Sequence, residues 1–166
     1  MAKRRSPINR GKFLSDLSDG KKAEQYIAKL YQENFYPTCD YVSFHIGKEY
    51  DISFSFPRKD SIHIEVKFDK YAVKSGNLCF ELQDHKGRPS GIMGTEANLM
   101  VFIVAKSLRS KKQVFEFDVP KLRAFISSHL DSAKYKIVKG GDGNAFEMML
   151  VPITEIIHES FCKKVV

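Results

Sequence analysis

Asp51, Glu65 and Lys67 are the side chains whose types and spacing could do chemistry together. Two carboxylates beside an amine can hold a divalent cation, because carboxylate oxygens suit Mg²⁺. Whether they meet depends on the stretch that carries them. Tyr50, Ile52, Phe54 and Phe56 alternate with Asp51, Ser53 and Ser55; Ile62, Ile64, Val66 and Phe68 alternate with Ser61, His63, Glu65 and Lys67. Successive strand side chains point to opposite faces, so the pattern predicts two strands, each with one apolar face. Pro57, Arg58, Lys59 and Asp60 supply the turn. The apolar faces coincide only if paired residue numbers sum to an even value, and the same parity sets Asp51 on the face of Glu65 and Lys67. A three-residue loop puts Asp51 opposite Glu65, a five-residue loop opposite Lys67. Like charges opposite one another destabilise a sheet, and a bound cation would relieve the repulsion.

Asp51, thirteen intervening residues and then Glu65-Val66-Lys67 resemble the motif of the PD-(D/E)XK nuclease superfamily. Tyr50 stands where that motif has proline, a residue with no part in the chemistry. The resemblance implies a restriction-endonuclease-like αβββαβ core in the α/β (α+β) class, with a mixed central sheet flanked by helices. It implies a Mg²⁺-dependent DNA endonuclease, with Mn²⁺ as a substitute. Asp51, Glu65 and the Val66 carbonyl would then be metal ligands and Lys67 a catalytic amine. Many superfamily members carry a further acid on the helix before the first strand, and Glu24 is the residue that matches. A finer similarity runs through Lys67-x-Asp69, Gly76-Asn77-x-x-x-Glu81, Ser90-Gly91-Ile92 and Thr95. It points to small nucleases of phages and mobile elements, and to archaeal Holliday-junction-resolvase-type members. It implies that Glu81, Ser90 and Thr95 line the site rim, with a resolvase of branched DNA as one candidate and a restriction-like or recombination nuclease as another. Three reduced cysteines and a basic N-terminus without the apolar run of a signal peptide lead to the expectation of a cytoplasmic protein, in the host's cytoplasm if phage-encoded.

The elements that must position these residues are legible in outline. Ser18 or Asp19 could cap a helix over residues 20–34, with Ala23, Ile27, Leu30 and Tyr31 as its stripe and Glu24 at the stripe's edge. Residues 41–46 alternate as a strand, and Gly47, Lys48 and Glu49 turn the chain into the hairpin. A short strand is expected over residues 78–82 and a helix over 92–98, followed by a buried strand over 99–105. Further on, a strand is expected at 114–119, a helix at 120–130, a strand pair at 135–138 and 146–152, and a terminal helix at 154–162. The glycine-rich 139–144 stretch lacks the Gly-Lys-Ser/Thr ending of a P-loop and reads as a turn.

Composition narrows the class. At 166 residues the chain is long enough for one domain with a real core. The expected organisation is a flexible basic arm over residues 1–12 and a single nuclease domain over 13–166. A formal net charge of +7 favours an anionic partner, nucleic acid first. Lys3, Arg4, Arg5, Arg10 and Lys12 of the arm, with Lys70, Arg88, Ser90 and Thr95 nearer the site, are the candidate DNA contacts. Three widely spaced cysteines suggest neither a disulfide framework nor a metal pair, and five histidines show no metal spacing. No apolar run is long enough for a membrane span, so no membrane partner is expected. Paired cuts need two sites, which a homodimer supplies, and Phe115, Phe117, Phe125 or Phe161 could face its two-fold interface. A non-catalytic DNA-binding protein on the same fold, a restriction-like or exonuclease activity on linear DNA, and an RNA-processing role stay open.

Overall fold

A computed structural model of the chain describes residues 10–47 and 49–166. A long helix, α1 (Arg10–Asn34), leads into three consecutive antiparallel strands, β1 (Tyr41–Phe44), β2 (Ile52–Phe56) and β3 (Lys59–Asp69). After a one-turn helix α2 (Ala72–Ser75) come β4 (Asn77–Asp84), a 3-10 turn at Gly91–Met93, β5 (Leu99–Val104) and β6 (Gln113–Asp118). The chain closes with α3 (Val119–Ser128), β7 (Lys136–Gly140), β8 (Phe146–Pro152), the one-turn α4 (Ile153–Ile156) and β9 (Cys162–Lys164). The class is α+β.

The main sheet has the order β1-β2-β3-β5-β6-β9 and is mixed: β3 and β5 run parallel, the other neighbours antiparallel. A parallel pair needs a crossover of a dozen residues or more. Residues 70–98 provide it, and they carry β4 out of the main sheet into a second one, β4-β8-β7.

Two apolar layers result, one on each face of the main sheet. On one face α1 lays Ala23, Ile27 and Tyr31 onto Ile52, Phe54 and Ile64 of the hairpin and onto Val101 and Ile103. On the other, Phe80, Phe102 and Phe117 meet edge-to-face with centroids 5.2–6.1 Å apart, backed by Met149 and Val151 of the second sheet and Leu122 and Ile126 of α3. β5 alternates between the layers, Met100, Phe102 and Val104 to one and Val101 and Ile103 to the other. A strand covered on both faces has no polar side, hence the unbroken apolar run.

Several expectations change. α1 begins at Arg10 rather than near residue 20, so Arg10 and Lys12 belong to a helix and not to an arm; Lys3, Arg4 and Arg5 lie outside the described residues. Residues 92–98 form no helix beyond the 3-10 turn. The Glu96 N–H donates to the Glu49 carbonyl, and the Asn98 N–H donates to the His63 carbonyl while the Asn98 side chain accepts from the His63 N–H. Those bonds hold the chain extended as it enters β5. The terminal segment is one helical turn followed by β9. Phe115 and Phe117 are buried in the monomer core, and Phe125 packs on Phe161, His129 and Tyr135. The first two therefore cannot face a two-fold partner. Among the described residues no helix is long and apolar enough to cross a membrane.

Candidate active site

The β2–β3 hairpin meets the parity condition by an unexpected route. Ile52 pairs with Ile64, Ser53 with His63 and Phe54 with Ile62, all even sums, whereas Phe56 pairs with Lys59. The turn is thus the two residues Pro57 and Arg58, the latter at φ 58°, and a bulge in β3 that sets Asp60 and Ser61 opposite Ser55 restores the register. Ile52, Phe54 and Ile64 all go under α1, and Glu65 and Lys67 go to the opposite face.

Asp51 lies one residue beyond the last pair, beside Glu65. Its N–H donates to the Ile64 carbonyl at 3.0 Å, and its carboxylate accepts from the Val66 N–H at 2.7 Å. The side chain takes the place that a longer β2 would fill. Each strand residue directs its N–H and C=O to the same edge, so the Val66 carbonyl faces the Asp51 side as well. Tyr50 breaks the alternation. It does not join the face under α1 but stacks between His45 (4.6 Å) and His63 (3.9 Å) and packs against the other layer. This three-ring stack flanks Asp51 and carried no signal in the sequence, because its members come from three separate positions.

Glu65 is only 8% exposed and binds the Lys67 ammonium through Oε1 at 2.7 Å. Glu81, on β4, raises the Lys67 pKa through its charge and accepts from the Ser90 hydroxyl at 3.2 Å. Gly91 makes that approach possible. It has φ +52°, and a Cβ there would lie 2.5 Å from the Glu81 Cβ. Thr95 is 4% exposed; its hydroxyl donates to the Glu49 carbonyl at 2.7 Å and stands 3.5 Å from Glu65. It braces the acid from beneath and is out of reach of a DNA phosphate.

Glu24 projects from α1 into a cleft of about 500 Å³ that it shares with Asp51, Lys21, His45 and Ile46. Burial, then the charge of Asp51 and that of Glu65, push its carboxyl up to about 7, with Lys21 opposing. Asp51 is raised by burial, against the Val66 hydrogen bond and Lys67. Glu65 is raised by burial and by Asp51 and Glu81, against Lys67. Burial alone would push the Lys67 ammonium down, but Glu65, Glu81 and Asp51 outweigh it and hold it above the ordinary lysine value. The cluster is thus several acids around one amine.

The other candidate contacts are placed as follows. Lys70 pairs with Asp19 of α1 at 2.6 Å, and Arg88 pairs with Asp84 through Nε at 2.7 Å. Ser90 sits at the rim beside Glu81. Among the described residues no three His, Cys, Asp or Glu side chains already form a metal-binding group. The donors near one another are Asp51, Glu65 and the Val66 main chain, and their burial beside like charges suits a divalent cation.

A mixed-sheet α+β protein with a buried acid–lysine cluster where β2 and β3 separate is the class that fold and site define. No family model matches the chain, and no curated protein matches it.

Proposed function

We propose that the chain is a metal-dependent DNA endonuclease of the PD-(D/E)XK type, built on an αβββαβ core formed by α1, β1–β3, the crossover and β5. The single observation that carries the reading is the meeting of Glu65 and Lys67 of β3 with Asp51 at the entry to β2, whose carboxylate accepts from the Val66 N–H, and with Glu24 of α1 in the cleft that Asp51 lines. The parallel β3–β5 pair after an antiparallel meander supports it. The reduced crossover helix departs from that core.

Hydrolysis of a phosphodiester forms one P–O bond from water, breaks another, and delivers a proton to the leaving oxygen. Asp51, Glu65 and the Val66 carbonyl would hold Mg²⁺ or Mn²⁺. When bound, the ion supplies a Lewis acid for the phosphate and lowers the pKa of water. Lys67, fixed by Glu65, offers its ammonium to the negative charge that grows on the phosphate. Glu24, with a carboxyl near 7, can take a proton from water at neutral pH. Asp51 and Thr95 hold the scaffold, one on the Val66 N–H and the other on the Glu49 carbonyl.

The substrate proposed is branched or recombining DNA, cut by a homodimer that supplies two sites. Incubation of supercoiled plasmid with Mg²⁺ should give nicked and linear forms, and EDTA or Asp51→Asn should abolish them. Binding without cleavage in Mg²⁺ and Mn²⁺ would leave a non-catalytic DNA-binding protein on this fold.

A further inference from the structure

The β5–β6 loop, residues 105–112, carries Lys106, Arg109, Lys111 and Lys112 and no acid. Three of these, Lys106, Lys111 and Lys112, line a cleft of about 540 Å³ with Val73, Val104 and Ile153. Among the described residues no carboxylate lines it and none of the three lysines makes an ion pair. Lys112 also lies over the Tyr26 ring at 5.1 Å. The cleft lies at the C-terminal end of β5, beyond the acid–lysine cluster along β3. Val104 is paired with Asp69, two residues past Lys67 on β3. Beside it Tyr71 is 69% exposed and Val73 41% exposed.

Lysines over an apolar floor suit a ligand that is both anionic and flat. Duplex DNA presents phosphates but keeps its bases stacked inside, so it would leave the apolar lining uncovered. A single strand presents both, its phosphates to cations and its base faces to apolar or aromatic side chains. We infer that the cleft between α2 and the β5–β6 loop holds an unpaired segment of the DNA strand that runs on from the acid–lysine cluster. The inference rests on the nuclease reading and narrows its substrate to DNA with an unpaired stretch.

The test uses the full chain in EDTA, with a fluorescein-labelled single-stranded oligonucleotide and a blunt duplex of the same sequence, titrated by anisotropy over a salt series. The triple variant Lys106→Gln/Lys111→Gln/Lys112→Gln should flatten the single-strand slope of log K against log salt by about 0.7 per lost contact, about 2 in all. It should leave the duplex slope within one contact of wild type. A variant with the same charge loss elsewhere, Lys29→Gln/Lys136→Gln/Lys139→Gln, should change neither. If the triple variant melts early, Lys106→Gln/Lys111→Gln, which keeps Lys112 over Tyr26, should flatten the slope by about 1.4. An unchanged single-strand slope, an equal drop on the duplex, or an equal drop in the control variant overturns the inference and leaves the nuclease reading intact. Failure of wild type to bind either oligonucleotide or to cut plasmid with Mg²⁺ removes both.

Discussion

Lys67 is held within 2.7 Å of a carboxylate on its own strand and is raised by three acids, so it stays charged at any pH the protein meets. Its value to the proposed reaction is therefore positional. Lys67→Ala should lower turnover by about 10²–10³-fold, the usual loss for one charge-stabilising donor. DNA affinity should stay within a few-fold, and full activity in the variant would reduce Lys67 to a structural partner of Glu65. Glu24 gives a different test. Its carboxyl is raised from an ordinary 4.5 to about 7, so the folded state holds the proton more tightly than the unfolded one. Below about 4.5 both states are protonated and the group is neutral in effect. As pH climbs through 7 the folded state must bury a charge that the unfolded state carries freely, and stability falls. In EDTA, Glu24→Gln should melt above wild type at pH 8 and together with it at pH 4. Coincident melting curves at both values would mean that neither burial nor Asp51 raises the Glu24 carboxyl.

The hairpin is the element on which the site depends, because the packing that buries its apolar face also sets where its acids stand. Phe54 is fully buried, with its ring 5.1 Å from Tyr36 and 6.3 Å from Tyr31. Phe54→Ala should cost about 3–5 kcal/mol, read as a lower urea midpoint. The 3-10 turn is the second support. Gly91→Ala would force an L residue into positive φ against the Glu81 backbone, a strain of about 1–3 kcal/mol. Cleavage should suffer more than stability, since the turn carries Ser90 and leads to Thr95. A variant that loses stability but keeps full turnover would separate Glu81 from the chemistry.

At the scale of the whole molecule, the proposed capture of DNA would rest on net charge and assembly. Deleting residues 1–9 removes Lys3, Arg4 and Arg5. If all three touch phosphates, the duplex salt slope should fall by about 0.9 for each, and an unchanged slope would make these cations bystanders. With Phe115 and Phe117 buried in the core, a homodimer must use other surface. Sedimentation at micromolar concentration should give about twice 19.0 kDa, and a monomer that still makes double-strand breaks would remove the need for a dimer.

The alternation from Ile52 to Phe68 by itself predicted one parity for the hairpin and so Asp51 beside Glu65, because side-chain period and burial leave no other, while the seat of the Asp51 carboxylate on the Val66 N–H came only with the tertiary structure. The helical stripe of Ala23, Ile27 and Tyr31 likewise put Glu24 at the edge of the apolar face, and the apolar run of β5 marked a strand covered on both sides. Other features were decided only in three dimensions. The two-residue turn with its bulge, the move of Tyr50 into a histidine stack, and the extended path of residues 95–98 all depend on partners far along the chain. Glu49 and His63 hold that path with their main chains alone, bonded to the Glu96 and Asn98 N–H groups and to the Thr95 and Asn98 side chains, so the identity of these partners leaves no trace in residue type. The departure of β4 to a second sheet follows from its pairing with β8, about 70 residues downstream. Local pattern specifies which face a side chain takes; which strand lies next to it is settled by burial of the whole chain.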